Sequence, residues 1–557
     1  MRILIHILLC VLTFAIHSSS NAQYIYNIDS LFGNNTEIIF SFEEKDKTKV
    51  NQLSQIISID NWRNDTVTAY ANKEEFEQFL SYPYPIVLCP KQHAKSTNMA
   101  TTLTDMLAWD KYPTYEVYLE MMQYFQSQYP DICRLDTIGY SVKGRQILSV
   151  KISDNVNEEE AEPEFFYSST MHGDEVTGYY LMLRLIHTLL AGYDSTPELT
   201  ELVNNTQIYI NPLANPDGTY NGSDSNINLS TRYNANRKDL NRNYPNPWKP
   251  NQTITIQPEN MAMIDYVGKH NFVIAANLHG GAEVLNYPWD SFVSQSKKTA
   301  DYEWWIDVCQ RFINNCRNID PYSFSTDYAN GYVQGGNWYV ISNGRQDYMN
   351  YQQRIREITM EISLDKVLST EMLQEYWNTQ HQALINYIAE VHKGIHGIVA
   401  DSATKQPIEA LIHIYNHDKD NSDIYSCKHN GHFYRPIADG KYTISVSAPG
   451  YITKEIKDIQ YSYPNQVKID IELTKDTKNP EDTKICPNPC TDYIKITSGE
   501  TIVEYTLFDV AGKIISTQKV NTFGTDIYTA NLPTGTYIIE IRTTSDTKNK
   551  IFTFVKQ

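Results

Sequence analysis

Apolar residues change their rhythm several times along this chain, and each change predicts a different kind of packing. Residues 23–92 mix short apolar strands at 38–40 and 66–70 with helical spacing near 50–57 and again at 73–80. That alternation predicts a small α+β unit. Tyr118, Met121, Met122 and Phe125 recur at helical spacing over 115–129, and Pro130-Asp131 closes the helix. Ile138-Gly139 and Gly144-Arg145 predict a hairpin feeding a strand at 148–153. Apolar segments at 165–167, 208–210 and 272–276 then alternate with helical stretches such as 179–190, which predicts a mixed α/β sheet. Reactive residues collect at the carboxyl ends of strands in such sheets. His172 and His279 fall there, whereas His270 precedes its strand and His187 lies on a helix face, so both are read as structural.

From about 393 the rhythm turns to period two, at 395–399, 442–446 and 467–473, the last alternating strictly between apolar and polar residues. This predicts a β-sandwich. Residues 475–484 form a charged, proline-containing linker, and 485–557 reads as a second small all-β sandwich.

A chain of 557 residues is too long for one core and divides into several domains. Residues 1–22 read as a secretory signal, with Arg2 ahead of an apolar stretch at 3–16 and small polar residues up to Ala22. The stretch is too short and wrongly flanked for a membrane anchor; a buried first helix is the alternative. No later segment has the apolar length to span a bilayer, so the mature protein is expected outside the cytoplasm, without a transmembrane anchor. A net charge of −19 argues against a nucleic-acid partner. Of eight cysteines, Cys10 would leave with the signal, and the other seven cannot all pair. Cys486 and Cys490 flank a Pro-Asn-Pro and are near enough to meet, though spacing alone establishes no bridge. His413, His417, His429 and His432 lack metal-ligand spacing and are read as exposed strand histidines.

The decisive chemistry is His172-Gly-Asp-Glu175, answered by His279 in Asn277-Leu-His-Gly-Gly281. Two imidazoles and one carboxylate can hold a catalytic zinc while leaving a position for water. Asn215-Pro-Asp-Gly218, Arg232, Asp239-Leu-Asn-Arg-Asn-Tyr244, Asn286-Tyr-Pro-Trp-Asp290, Trp338-Tyr339, Gly344-Arg-Gln-Asp347 and Glu357-Ile-Thr-Met-Glu361 complete the set. Over roughly 107–392 this ordered series resembles the zinc metallocarboxypeptidases, in particular the regulatory branch that includes carboxypeptidases E, N and D.

That resemblance implies one Zn2+ per chain on His172, Glu175 and His279, with Glu361 rather than Glu357 as general base. It assigns Arg232 to the developing oxyanion, with Arg237 as a nearby alternative. Asp239 would orient the first zinc histidine. Asn241 and Arg242 would grip the terminal carboxylate in a planar fork, and Tyr339 would close over it. Asp290 and Gln346 would contact the leaving side chain and suit Lys or Arg. One departure is Asn260, after Gln257-Pro-Glu259, where the family leads us to expect threonine.

The sandwich at 393–474 resembles the transthyretin-like domain of the same branch. Pro487-Asn-Pro489, Phe508-Asp-Val-Ala-Gly512 and Leu532-Pro-Thr-Gly-Thr-Tyr537 resemble the C-terminal sorting domain of the type IX secretion system of Bacteroidetes, which implies that machinery as a partner and export through the periplasm to the surface or the medium. The unit at 23–100 stands where a pro-domain would, an accessory domain being the other reading. The expectation is a secreted zinc exopeptidase acting on peptide or protein C-termini, with its α/β catalytic domain at 105–392. A peptidoglycan-peptide hydrolase cutting diaminopimelate-type peptides, or a non-catalytic binding module, are the alternatives.

Overall fold

The computed structural model describes residues 27–33, 35–90, 97–476, 483–544 and 549–557. The signal at 1–22 and most of the linker at 475–484 lie outside the described residues.

The first unit is a four-stranded antiparallel sheet of β1 (Ile38–Glu43), β2 (Ser58–Arg63), β3 (Thr66–Ala71) and β4 (Val87–Cys89), in the order β2-β3-β1-β4. Helices Lys47–Leu53 and Lys73–Phe79 cover one face. Phe40, Phe42, Phe76 and Phe79 fill the space between, and Asn72 and Glu75 form a reciprocal cap at the start of the second helix. The apolar cluster does not stop at the unit's own surface: it takes in Ala282, Val284, Val333, Trp338, Tyr339 and Ile341.

After a short parallel pair, β5 (Met99–Ala100) and β6 (Tyr112–Pro113), comes an eight-stranded mixed sheet. Its strands are β7 (Cys133–Tyr140), β8 (Gln146–Ile152), β9 (Glu164–Ser169), β10 (Gln207–Asn211), β11 (Phe272–His279), β12 (Ala282–Tyr287), β13 (Tyr332–Gln334) and β14 (Arg356–Ser363), in the order β13-β12-β14-β11-β9-β10-β8-β7. The central strands β10, β9, β11 and β14 run parallel. Both faces of these strands are buried, which is why they read as nearly continuous apolar runs. Phe165, Tyr167, Ile208 and Ile210 face helices Tyr115–Gln128, Thr177–Gly192, Tyr302–Arg317 and Leu373–Ile388. Phe166 and Tyr209 face Met263 and Tyr266 of helix Pro258–Val267.

Residues 394–473 form two four-stranded sheets closed on one core of Ile395, Val399, Phe433, Ile412, Ile444 and Val446. The strand expected over 467–473 is interrupted into Gln466–Lys468 and Ile471–Leu473, at the point where the Ile398 N–H goes to the Asp470 carboxylate at 3.2 Å. Of the four histidines expected to be exposed on strands, His429 is exposed but in a turn, and His413 lies half-buried on a strand. His432 is buried, and His417 sits against Asp418 beside a chain of buried ion pairs, Arg356–Asp301–Arg435–Asp418, that joins this sandwich to the catalytic sheet.

The last unit differs from the expected sandwich of separate sheets. It is one five-stranded sheet whose long strand Tyr493–Asp509 shifts register near Ile502 and closes on a core of Ile494, Leu507, Ile539 and Phe554. Asp423 receives the Tyr493 hydroxyl and pairs with Arg354, which also pairs with Asp526 at 2.7 Å, so three units meet at one arginine. The seven described cysteines are all free thiols, Cys486 and Cys490 included.

Candidate active site

The site lies where β9 and β11 end. Thr170 follows β9 with a left-handed backbone (φ 61°), and its hydroxyl donates to the Glu175 carbonyl at 3.0 Å. This turn carries His172 and Glu175 across the sheet edge. Gly173 is required there, since a Cβ would stand 2.3 Å from the Gly218 backbone carbon. His279 ends β11, directly opposite Glu361 of β14 in the parallel ladder.

Three donor atoms converge. His172 Nδ1 is 3.0 Å from Glu175 Oε1, His279 Nδ1 is 2.8 Å from Glu175 Oε2, and the two Nδ1 atoms are 3.1 Å apart. All three residues are buried. The outward nitrogens have their own partners: His172 Nε2 lies 3.2 Å from Asp239 Oδ1, and His279 Nε2 lies 2.6 Å from the Asn277 amide. The Asp239 carboxylate places the His172 proton on the outer nitrogen and leaves its inner lone pair facing Glu175, and the Asn277 amide does the same for His279 when turned over so that its otherwise unpartnered Oδ1 accepts from Nε2–H. Burial pushes His279 down to about 4, so it stays neutral. Burial opposes ionisation of Glu175, yet His172, Lys366 and His279 hold its carboxyl well below the usual range. Two imidazoles and one carboxylate, all aimed at one point, fit a zinc ion with coordination to spare.

Arg232 is buried, with Nε 3.0 Å from Asp239 Oδ2 and Nη1 3.6 Å from Glu175 Oε1. Arg237 is exposed and lies outside the cavity wall. Burial and the charge of Glu175 push Glu361 well above the usual carboxylate range, and its Oε2 is buried without a hydrogen-bond partner.

Asn241 and Arg242 form a single tight turn, Leu240–Arg242, capped by Asp239. Asn260 donates to the Leu240 carbonyl at 2.9 Å, so the unexpected residue braces this turn. Asn241 Oδ1 accepts from Arg345 N–H at 2.9 Å, and Arg345 is gripped by Glu357 in a buried fork. Glu357 thus supports the turn from behind. Arg242 spends one nitrogen, Nη1, on the Asn241 carbonyl, while Nε and Nη2 are buried and unpartnered.

Asp290 stands in the cavity wall beside Asn286, Trp338, Tyr339, Ile341 and Thr359. Gly335 backs it, since a Cβ there would overlap Asp290 Oδ1 at 1.9 Å. Gln346 does not line the cavity: its amide donates to Asp290 Oδ1 at 2.8 Å and accepts from Thr359 N–H at 2.8 Å, holding the aspartate in place. Asp347 accepts from the backbone N–H groups of Asp290 and Ser291 at 2.8 and 3.0 Å. Burial and Asp347 together push Asp290 well above the usual range.

Sequence reasoning left some wall residues unassigned. Asn286 carried a signal, standing four residues before Asp290 in the same motif. Asp60 carried none, because it reaches the wall only after β2 packs across the sheet edge; nor did Lys366, which the turn after β14 brings to 2.8 Å from Glu175 Oε1.

Comparison with known proteins follows the same division. Residues 118–383 match the family model described as zinc carboxypeptidase, and residues 484–554 match that of a secretion system C-terminal sorting domain. Carboxypeptidase D of Homo sapiens is 33% identical over 362 residues, covering 62% of this chain and 25% of that protein. The chain therefore spans about a quarter of that relative. Carboxypeptidase M of Mus musculus is 34% identical over 342 residues, covering 58% of this chain and 76% of the relative. The carboxypeptidase N catalytic chain of Homo sapiens is 34% identical over 362 residues, with 58% and 78% covered.

Proposed function

The chain belongs to the zinc carboxypeptidase family, and from that premise we propose that it removes single residues from the C-termini of peptides and proteins, preferring Lys or Arg. The observation that carries this reading is the orphaned head of Arg242, two buried nitrogens without partners in the wall that also holds His172, Glu175, His279 and Asp290. An unpaired buried cation is costly unless a ligand carboxylate completes it. An endopeptidase has no use for such a group.

His172, Glu175 and His279 would hold zinc, which when bound polarises a carbonyl and acidifies water. Arg242 and Asn241 take the terminal carboxylate, and Tyr339 covers it. Glu361, through its free Oε2, accepts a proton from the attacking water and passes it to the leaving amine. Arg232 offsets the negative charge that develops on the carbonyl oxygen. Asp290, steadied by Gln346, meets the cationic side chain of the leaving residue. The sorting domain supports export by the type IX machinery to the surface or medium. No helix among the described residues is long and apolar enough to cross a membrane.

The test is turnover of paired peptides differing only in the last residue, Lys against Phe, with and without chelator, before and after limited proteolysis. Preference for Phe, or turnover indifferent to chelator, would overturn the reading.

A further inference from the structure

The loop between β8 and β9 gathers negative charge well away from the catalytic residues. Asp154, Glu160 and Glu162 place carboxylate oxygens within 4.8 Å of one another. Asp154 Oδ1, Glu160 Oε2 and Glu162 Oε2 are each buried and accept no hydrogen bond. Asn155 Nδ2 donates to Glu160 Oε1 at 3.1 Å and leaves Oε2 free. The two cationic side chains that reach this loop are engaged elsewhere. Lys151 Nζ donates to the Glu158 carbonyl at 2.9 Å, and Arg134 pairs with Asp136 while donating to the Val156 carbonyl at 3.0 Å.

A fourth donor comes from another strand. Gln207, the first residue of β10, is 2% exposed and turns its amide onto the same loop. Its Nε2 donates to the carbonyls of Glu160 and Glu162 at 3.4 and 3.5 Å, and its Oε1 is buried without a partner. Buried side-chain oxygens are hydrogen-bonded as a rule, and four exceptions side by side call for a cation.

We propose that Asp154, Glu160, Glu162 and Gln207 form a calcium site that ties the β8–β9 loop to the sandwich at 394–473. A donor set made only of oxygens, without imidazole or thiolate, suits a hard cation rather than zinc or copper. Calcium takes roughly six to eight oxygens in adaptable geometry, whereas magnesium demands a near-ideal octahedron and sheds water reluctantly. Ligands spread over a nine-residue turn and a neighbouring strand meet the first requirement and not the second.

The turn that carries the ligands also makes the contact with the sandwich. Asn430 Nδ2 donates to the Glu160 carbonyl at 2.8 Å, and the Tyr434 hydroxyl donates to the Ala161 carbonyl at 2.9 Å. A bound cation turns the mutual repulsion of the three carboxylates into attraction, and so holds these carbonyls in place for the sandwich. None of the four residues lines the cavity at the donor triad, so the proposal stands apart from the peptidase reading.

The test uses the zinc-loaded full chain in calcium-free buffer at pH 9, wild type beside Glu160→Gln/Glu162→Gln. Two probes are added separately: CaCl2, read as the melting temperature, and Tb3+, read by luminescence sensitised through Tyr434. Wild type should melt about 3 °C higher or more once calcium stands tenfold above its Kd. It should also bind one Tb3+ per chain and release it to Ca2+. The double variant should melt above wild type without calcium, because two of three repelling charges are gone, and below it with calcium, because the donors are gone. That crossing, with loss of the Tb3+ signal in the variant, is the expected result. No calcium-dependent shift in wild type, an equal shift in the variant, or an equal response to Mg2+ would overturn the calcium site.

Discussion

Replacing Asp290 by asparagine is the sharpest perturbation of specificity this site allows. The two side chains have nearly the same volume, so the tight contact with Gly335 is kept while the charge is removed. Asp290 is 1% exposed, and its uncharged neighbours Asn286, Gln346, Trp338 and Ile341 offer no replacement anion. Asp347 is spent on the backbone of 290 and 291. A Lys or Arg side chain entering the pocket of the variant would be desolvated and unpaired, a loss of about 3–5 kcal/mol for a broken buried pair. At about 1.4 kcal/mol per tenfold this is roughly two to three and a half decades, and the amide's remaining acceptor returns part of it. We expect kcat/KM for Lys- and Arg-ended peptides to fall at least about a hundredfold, while the slow turnover of Phe- or Leu-ended peptides barely changes. Because burial and Asp347 raise the Asp290 pKa, the ionised form that attracts a cation gains population as pH rises. Wild-type preference for basic residues should therefore grow with pH, and the variant should lose that slope. The assay is the pH dependence of kcat/KM for both substrate classes on zinc-loaded enzyme; equal losses on both classes would refute the reasoning.

Other outcomes follow from single side chains. Glu361→Gln should keep zinc stoichiometric by metal analysis while kcat falls by about two to four decades, the usual span for a positioned acid–base group. Arg242→Gln should weaken binding of free-carboxylate peptides far more than that of their C-terminal amides, measured as KM for each. Deleting residues 484–557 should leave kcat/KM of the zinc-loaded enzyme unchanged but stop export from the native host, read by fractionation. Burial, with Glu160 and Asp154 close by, lifts Glu162 to about 8, so its protonated form contributes stability that is present below about 4.5 and lost as pH rises through about 8. In chelator, Glu162→Gln should leave the melting temperature unaltered at pH 5 and raise it at pH 9; an equal effect at both would contradict the shift.

How much of this was legible in the chain depends on how local each cause is. Glu361 was singled out by the family's motif order, and the parallel register then sets it opposite His279. The strands around 165, 208 and 272 were visible because strands buried on both faces need apolar residues at every position. The break at 469–470 was not, since the alternation continues through it and its cause is one side chain, Asp470, taking the Ile398 N–H. Gln346 reads in sequence as a wall residue and in three dimensions as a brace, a difference of one hydrogen bond to Asp290.

The deepest division lies at the cleft. Residue types and their order marked out the His172, Glu175 and His279 donors, the Asn241–Arg242 turn and the Asp290 carboxylate, because those are carried by short motifs. Only the tertiary structure decided that Ser58 and Asp60, more than a hundred residues before Asp239 and Lys366, would touch those side chains beside the donors. A β-bulge and the packing of one sheet against another's edge set that contact, and neither leaves a periodic trace in the sequence.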